Sequence, residues 1–203
     1  MEFIIQWFEE FNAYMSSGGL VMWPLAISVL VLWYALGYRY YTLNRGSKAT
    51  VRNLVRKFSE GIRSEPKGLI DGAIVEALDI VKKRGRCSMT RNYLTDAFNK
   101  YTVEIGKYST LIKTIVAIAP LIGLLGTVIG MIETFDSLAD AALFSQSGGI
   151  AGGISQAMFT TQLGLVVAVP GLIIGNILQR RADKMIMDLE QIKDIICIKE
   201  EGK

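Results

Sequence analysis

The sequence predicts an all-α membrane protein with three transmembrane helices and long helical extensions on one side of the bilayer. Of the 203 residues, 51% are hydrophobic, and they are concentrated in blocks rather than spread along the chain. Three blocks, 20–38, 114–132 and 154–178, contain no charged side chain. Each block is close to, or longer than, the ~20 residues that a spanning helix needs. The third observation is the charge distribution between the blocks, which predicts their orientation.

Basic residues collect on one predicted side of the membrane. The segment 39–113 holds 16 of the chain's 22 Lys and Arg against seven acidic residues, whereas 133–153 holds three acidic residues and no Lys or Arg. The tail 179–203 opens with Arg180 and Arg181. Cytoplasmic loops carry an excess of positive charge. The pattern therefore places the N-terminus outside, 39–113 inside, 133–153 outside and the C-terminus inside.

The first element is an amphipathic helix over residues 1–19. Apolar residues recur at helical spacing, and the acidic residues fall largely on the other side. Such a helix lies along the membrane surface, where aromatic rings are favoured. The first spanning helix, 20–38, follows a Ser-Ser-Gly-Gly turn and ends at Arg39. The apolar positions of the surface helix are Phe3, Ile4, Trp7, Phe8, Phe11, Tyr14 and Met15.

The inner segment 39–113 predicts several short helices and then one long helix. The short helices are separated by glycine and proline, which interrupt helical periodicity. From Met89 onward the apolar pattern continues without a strong breaker, so we expect a single helix that runs into the second span. The expected interruptions fall at Gly61, Pro66, Gly68 and Gly85.

The C-terminal tail continues the helix of the third span. It carries an apolar seam at steps of four, three and four residues, which suits packing against another helix. The partner of this seam is either the inner segment of the same chain or a neighbouring subunit. The seam consists of Met185, Leu189, Ile192 and Ile196.

Several functional classes are excluded or disfavoured by composition. The chain has no His, which excludes a His-containing metal site or a Ser-His-Asp triad within it. Its two Cys, Cys87 and Cys197, are far apart and both predicted to be cytoplasmic, so we expect no disulfide. The glycines of 148–153 lack the Lys of a phosphate-binding loop. The basic segment is flanked by spans, which favours inside-positive loops over nucleic-acid binding. We expect no enzyme activity, no metal and no cofactor.

Small residues form a stripe on each of the last two spans. Glycine, alanine and threonine at helical spacing let membrane helices approach closely. Two interpretations stay open: close packing alone, or a polar seam that lines a pore. Pro120 and Pro170 each remove a backbone hydrogen bond and permit a kink. One stripe is Gly123, Thr127, Gly130 and Thr134, with Gly126 as a further packing glycine; the other is Gly153, Ala157, Thr161, Gly164, Ala168, Gly171 and Gly175.

No Asp, Glu, Lys or Arg lies within the three uncharged blocks. A protein that moved protons by itself would need an ionisable group inside the membrane. If this chain conducts protons, the titrating carboxylate therefore comes from another chain.

Two strings carry a resemblance to a known family. APLIGLLGTVIGMIETF and GGISQAMFTTQLGLVVAVPGLIIGNIL resemble the paired helices of the MotA/TolQ/ExbB proton-channel family, and the length and topology are most similar to ExbB. The resemblance implies a stator in the bacterial inner membrane, with a periplasmic N-terminus and a cytoplasmic C-terminus. In such motors five subunits surround the transmembrane helices of an ExbD-like partner. Proton flow moves this partner, and a TonB-like protein carries the force to outer-membrane transporters.

The resemblance also implies site residues. Thr127 and Thr161 match the family's threonines on the proton path, and Pro120 and Pro170 match its prolines. Gln156 stands where the best-known ExbB and TolQ proteins have Glu, and it cannot titrate. We therefore expect Thr127, Thr161, Gln156 and Thr160 to line the path, and a partner Asp to carry the proton. Membrane lipids are the other expected contact, and nucleic acid is not expected.

The sequence leaves three tasks open. The ExbB-like role is the first, and a TolQ-like or gliding or export motor is the second. A passive membrane scaffold with the same small-residue stripes is the third, and it would not need the two threonines.

Overall fold

The fold consists of α-helices in a computed structural model that describes residues 18–44, 50–60, 68–84, 88–141 and 148–198, with residues 6, 9, 12 and 15 as single positions. These described residues contain no strand. A short 3-10 turn, Gly19–Val21, precedes the first helix. The helices are α1 (Met22–Thr42), α2 (Val51–Ser59), α3 (Leu69–Arg84), α4 (Ser88–Gly106), α5 (Ser109–Ala141) and α6 (Gly148–Ile198).

Three stretches are long and apolar enough to cross a membrane: Gly19–Thr42, Thr90–Asp136 and Gly152–Cys197. The expectation of an all-α protein with three helices of spanning length is confirmed. The orientation of these helices and the sides assigned to the termini stay predictions.

The chain forms two compact units. The first, here called the helix-pair unit, comprises Met1–Leu36 and Thr110–Gly175. The second, called the polar unit, comprises Gly37–Ser109 and Asn176–Lys203.

In the helix-pair unit, α1 packs where α5 and α6 meet. Its side chains Met22, Leu25 and Leu32 are almost completely buried. A Cβ atom added to Gly171 of α6 would lie 2.9 Å from Leu32 Cδ2 and 2.8 Å from Val116 Cγ2. The absence of a side chain at this glycine therefore lets all three helices meet at one point.

In the polar unit, the tail seam of α6 is buried within its own chain. Met185, Leu189, Ile192 and Ile196 are all nearly inaccessible. Helix α4 buries Leu94, Phe98 and Ile105. Arg91 of α4 forms a 3.2 Å ion pair with Asp194 of α6, while α3 packs on both α2 and α4.

The single helix expected from Met89 onward is wrong. Helix α4 ends at Gly106, α5 begins at Ser109, and Tyr108 between them has φ of 60°, in the left-handed region. A tyrosine adopts this conformation only where other contacts hold it. Its ring packs edge-on against Tyr38 with centroids 5.1 Å apart. Tertiary packing therefore breaks a helix that the apolar periodicity alone would continue.

The segment between the second and third spans also differs from expectation. Helix α5 continues to Ala141 and α6 begins at Gly148, so most of the predicted loop 133–153 is helical. Residues 142–147 lie outside the described residues. Most of the predicted surface helix also lies outside the described residues, as do Gly61, Pro66 and Gly85. The described positions of the surface helix, 6, 9, 12 and 15, are helical.

Candidate functional site: the α5–α6 seam

Helices α5 and α6 pack antiparallel through their glycines. A Cβ added to Gly164 would lie 2.9 Å from the Ala119 carbonyl oxygen, and one on Gly130 would lie 2.7 Å from that of Gly153. A Cβ on Gly123 would lie 3.0 Å from the Thr160 carbonyl oxygen. These three distances show backbone against backbone, the packing that small residues permit in membranes. Further along, a Cβ on Gly175 would lie 3.2 Å from Cγ2 of the Ile112 side chain.

Thr160 and Gly126 occupy the centre of the seam. Thr160 is completely buried, and its Oγ1 donates to the Ala157 carbonyl at 2.9 Å. A Cβ on Gly126 would lie 2.5 Å from Thr160 Cβ and 2.7 Å from its Cγ2. Thr160, expected to line a path, therefore fills the helix contact. Thr134, which sequence reasoning placed on the stripe without a role, is buried beside Gly153 and bonds its own helix.

Thr161 makes the hydrogen bond that joins the two helices. Its Oγ1 donates to the Gly123 carbonyl at 3.3 Å, and the side chain is half-buried. In an α-helix that carbonyl also accepts the amide of the residue four positions later, which is Thr127. The Thr127 hydroxyl donates to the Leu124 carbonyl at 2.6 Å. Gly123 thus links the two threonines through one backbone carbonyl.

Both threonines flank the seam on the same side. Each follows a central seam residue by one position, Thr127 after Gly126 and Thr161 after Thr160. One residue turns a helix by about 100°. When two helices run antiparallel, the same rotation away from their contact brings both positions to the same side of the pair. Thr127 and Thr161, which the sequence places in the two stripes, therefore stand at the edge of the contact and are half-buried.

The side that carries Thr127 and Thr161 is otherwise apolar and open. We call this surface the Thr face; its exposed apolar side chains are Leu124, Met131, Met158 and Leu165. An exposed face of this kind on a spanning helix pair contacts lipid or another helix.

The remaining predicted residues are placed as follows. Pro120 and Pro170 lie inside α5 and α6, and the kinks expected there stay predictions. Gln156 lies in α6, but its side chain is outside the described residues. In the part of the chain that the structure describes, no three His, Cys, Asp or Glu side chains come together as a metal site.

A buried polar network lies in the polar unit, and sequence reasoning missed it. The Arg39 side chain, at the end of α1, is 2% exposed and donates to Gln179 Oε1 at 2.8 Å. Ser109 Oγ donates to the same oxygen at 2.6 Å. Gln179 Nε2 donates to Asp183 Oδ1 at 2.8 Å. Sequence reasoning used Arg39 only as the end of a span, and no local pattern pairs it with a residue 140 positions later.

A second polar cluster joins α3 to α4. Lys100 Nζ donates to Glu76 Oε1 at 2.7 Å, and the Tyr101 hydroxyl donates to Oε2 at 2.8 Å. Burial acts to raise the pKa of Glu76, but the hydrogen bonds from Lys100 and Tyr101 and the charge of Lys100 outweigh it and lower the pKa. The carboxylate is therefore held in its ionised form.

The α5–α6 seam lies within the part of the chain that matches a known protein family. The model of the MotA/TolQ/ExbB proton channel family matches residues 65–191. The chain is 37% identical over 92 residues to biopolymer transport protein exbB1 of Vibrio cholerae, covering 45% of this chain and 40% of that protein. It is 36% identical over 89 residues to ExbB of Aquifex aeolicus, covering 44% and 60%. With ExbB of Salmonella typhimurium it shares 36% over 77 residues, covering 38% and 31%.

The matched part therefore spans between about a third and three fifths of the length of these relatives. The family model, in contrast, covers more than half of the present chain. With three helices of spanning length, the protein is a multi-pass membrane protein. It belongs to the MotA/TolQ/ExbB proton channel family and is most like ExbB.

Proposed function

We propose that this chain is an ExbB-like stator subunit of a proton-driven motor in the bacterial inner membrane. With an ExbD-like partner it uses the proton-motive force to energise TonB-dependent transport across the outer membrane. The subunit acts as a homo-oligomer, a ring of five, around the partner's transmembrane helices. The observation that supports this role best is the pair Thr127 and Thr161 on an open apolar face, each with its hydroxyl donating to a backbone carbonyl.

The hydroxyl chemistry fits a partner that carries the proton. Thr127 and Thr161 each donate their hydrogen to a backbone carbonyl. A hydroxyl has one donor and two acceptor lone pairs. Both threonines therefore offer acceptors on the Thr face, which suit a protonated carboxyl group or a water better than a carboxylate. This chain supplies no acid of its own in the apolar segments.

The sequence of events follows from that preference. A protonated partner carboxyl binds against the Thr face because it is neutral and can donate a hydrogen bond. Loss of the proton to the cytoplasmic side removes the donor and leaves a charge that the apolar surroundings disfavour. The partner then leaves one subunit's Thr face and reaches the next after taking up a proton.

The test uses Thr127→Val and Thr161→Val, which keep the shape of the side chain and remove the hydroxyl. Losing one hydrogen bond between neutral groups costs about 0.5–1.5 kcal/mol. We therefore expect energised uptake to slow by about 2- to 10-fold. Membrane insertion and oligomer size should stay unchanged.

The matched control is Thr114→Val, an exposed threonine at the other end of the apolar run of α5. It should retain full uptake. Full uptake in both site variants would contradict the role of the Thr face. Proton flux into liposomes that contain this chain with its partner separates the motor from a passive scaffold, which would give none.

A further inference from the structure

A cavity of about 660 Å³ lies in the polar unit. It is lined by the last turn of α1, the beginning of α3 and one side of α4. The volume falls in the range of about 300–1,000 Å³ that small-molecule sites occupy. Its chemically distinctive lining consists of three tyrosines and two opposite charges: Tyr38, Tyr41, Tyr101, Lys100 and Glu104.

The cavity holds a carboxylate and an ammonium group that are not paired with each other. Glu104 is half-buried and accepts the Tyr38 hydroxyl at 2.7 Å, a bond that occupies Oε1 alone. Lys100 donates to Glu76 at 2.7 Å, which uses one of its three N–H donors. A ligand that carries both a negative and a positive group would therefore find a partner for each.

The tyrosines add to the preference for a positive group. Ring faces attract cations, and several rings around one space recognise ammonium groups. Two of the three rings already have a lysine of this chain beside them: Lys107 Nζ lies 5.1 Å from the centre of the Tyr38 ring, and Lys100 Nζ lies 5.1 Å from that of Tyr101. Tyr41 is 83% exposed, so its ring is available to a ligand.

The position of the cavity points to the source of the ligand. Tyr38, Tyr41 and Thr42 belong to the last turn of α1, the C-terminal end of a candidate membrane span. Tyrosine is enriched where a span meets the headgroup region. The zwitterionic ligand within reach at that depth is the headgroup of a bilayer lipid.

We propose that this cavity binds the phosphoethanolamine headgroup of a membrane phospholipid, with the phosphate on Lys100 and the primary ammonium on Glu104 beside the tyrosine rings. A phosphoglycerol headgroup would bind less well, because it brings no cation to Glu104. The acyl chains remain in the bilayer. The lipid is a ligand of the polar unit and takes no part in proton transfer on the Thr face.

Native mass spectrometry of the full chain in detergent tests the proposal, with phosphatidylethanolamine and phosphatidylglycerol of identical acyl chains. We expect the ethanolamine lipid to be retained about tenfold more, the effect of one charge-assisted hydrogen bond. Glu104→Gln should abolish the preference. Asp96→Asn, which makes the same charge change at an exposed position of α4, should preserve it.

A second pair of variants separates phosphate binding from fold stability. Lys100→Gln should release both lipids, whereas Glu76→Gln breaks the same ion pair and should retain them. Tyr41→Leu changes an exposed ring and should weaken the ethanolamine lipid selectively. Equal retention of the two lipids by the native chain, or an unchanged preference in Glu104→Gln, overturns the assignment. If soluble phosphoethanolamine displaced the bound lipid at a concentration equal to that of the lipid, the inference that the ligand is a bilayer lipid would be overturned.

Discussion

Gly126 has no side chain, and the fully buried side chain of Thr160 on the opposite helix fills the space beside it. Thr160 has no exposed surface, and the space that a Cβ on Gly126 would need is already filled by its side chain. Neither backbone can move away without opening the neighbouring contacts at Gly123 and Gly130. The residue at position 126 therefore controls how closely α5 and α6 approach.

Gly126→Ala should destabilise the helix pair by about 1–3 kcal/mol, the usual cost of overfilling a packed site. Thermal unfolding in detergent, followed by circular dichroism, measures the effect. The control is Gly152→Ala on α6, where no heavy atom lies within 4 Å of the added Cβ. That variant should be neutral or slightly more stable, because alanine favours helix. Equal stability of both variants would show that the seam is loose at Gly126.

The sequence was sufficient to identify the seam but not its centre. Steps of three and four residues are both compatible with one helix face, so Gly123 is followed equally well by Gly126 or Thr127. The choice depends on which side chain the opposite helix can accommodate. Thr160 packs against Gly126 and turns Thr127 and Thr161 to the edge. Which residue lies at the centre of the seam therefore depends on how the two helices pair, and neither stripe alone predicts it.

At the scale of elements, the turn between α4 and α5 is the feature that periodicity did not predict. Glycine is common where a helix ends in a left-handed residue. Here Gly106 is the last helical residue, and the left-handed position two residues later is Tyr108. The tyrosine is held there by its edge-on contact with Tyr38, and Lys107 lies 5.6 Å from the centre of its ring. A long-range contact therefore determines a local conformation.

Substitution of Tyr108 by alanine and by glycine distinguishes this turn from a continuous helix. Both variants lose the ring contact, but only glycine relieves the left-handed conformation. Tyr108→Gly should therefore be more stable than Tyr108→Ala by about 1 kcal/mol. In a helix interior the order is reversed by a similar amount. Chemical denaturation of the two variants side by side gives the sign, and alanine as the more stable variant would contradict the turn.

The elements that composition dominates were predicted well. The uncharged blocks give α1, α5 and α6, and the seam from Met185 to Ile196 is buried as its spacing suggested. The ends of the helices were predicted less well, because polar residues such as Glu133 and Asp136 continue α5 beyond its apolar part. Charged residues show where the apolar part of a span ends, but the helix itself can continue beyond them.

At the scale of the whole molecule, the network around Gln179 joins residues from three different helices. Arg39 belongs to α1, Ser109 is the first residue of α5, and Gln179 lies in α6. A single amide oxygen accepts both donors. Since Arg39 is buried, these contacts and nearby Asp183 stabilise its charge.

Gln179→Leu should cost about 1–3 kcal/mol for each buried polar group that loses its partner. Ser109→Ala removes one donor and leaves the Arg39 contact in place, so it should cost clearly less. Unfolding monitored by amide hydrogen exchange of the polar unit would measure both. If the two variants lose the same stability, the network contributes through Ser109 alone.

The continuity of α6 restricts how the length of this chain can change. One helix carries both the glycines of the seam with α5 and the buried residues Met185 to Ile196. An insertion of a single residue near Arg180 would turn the second set by about 100° about the helix axis relative to the first. Seven residues make nearly two full turns. We therefore expect insertions and deletions at this junction to be tolerated best at lengths that restore the helix face, such as about seven or about 11 residues.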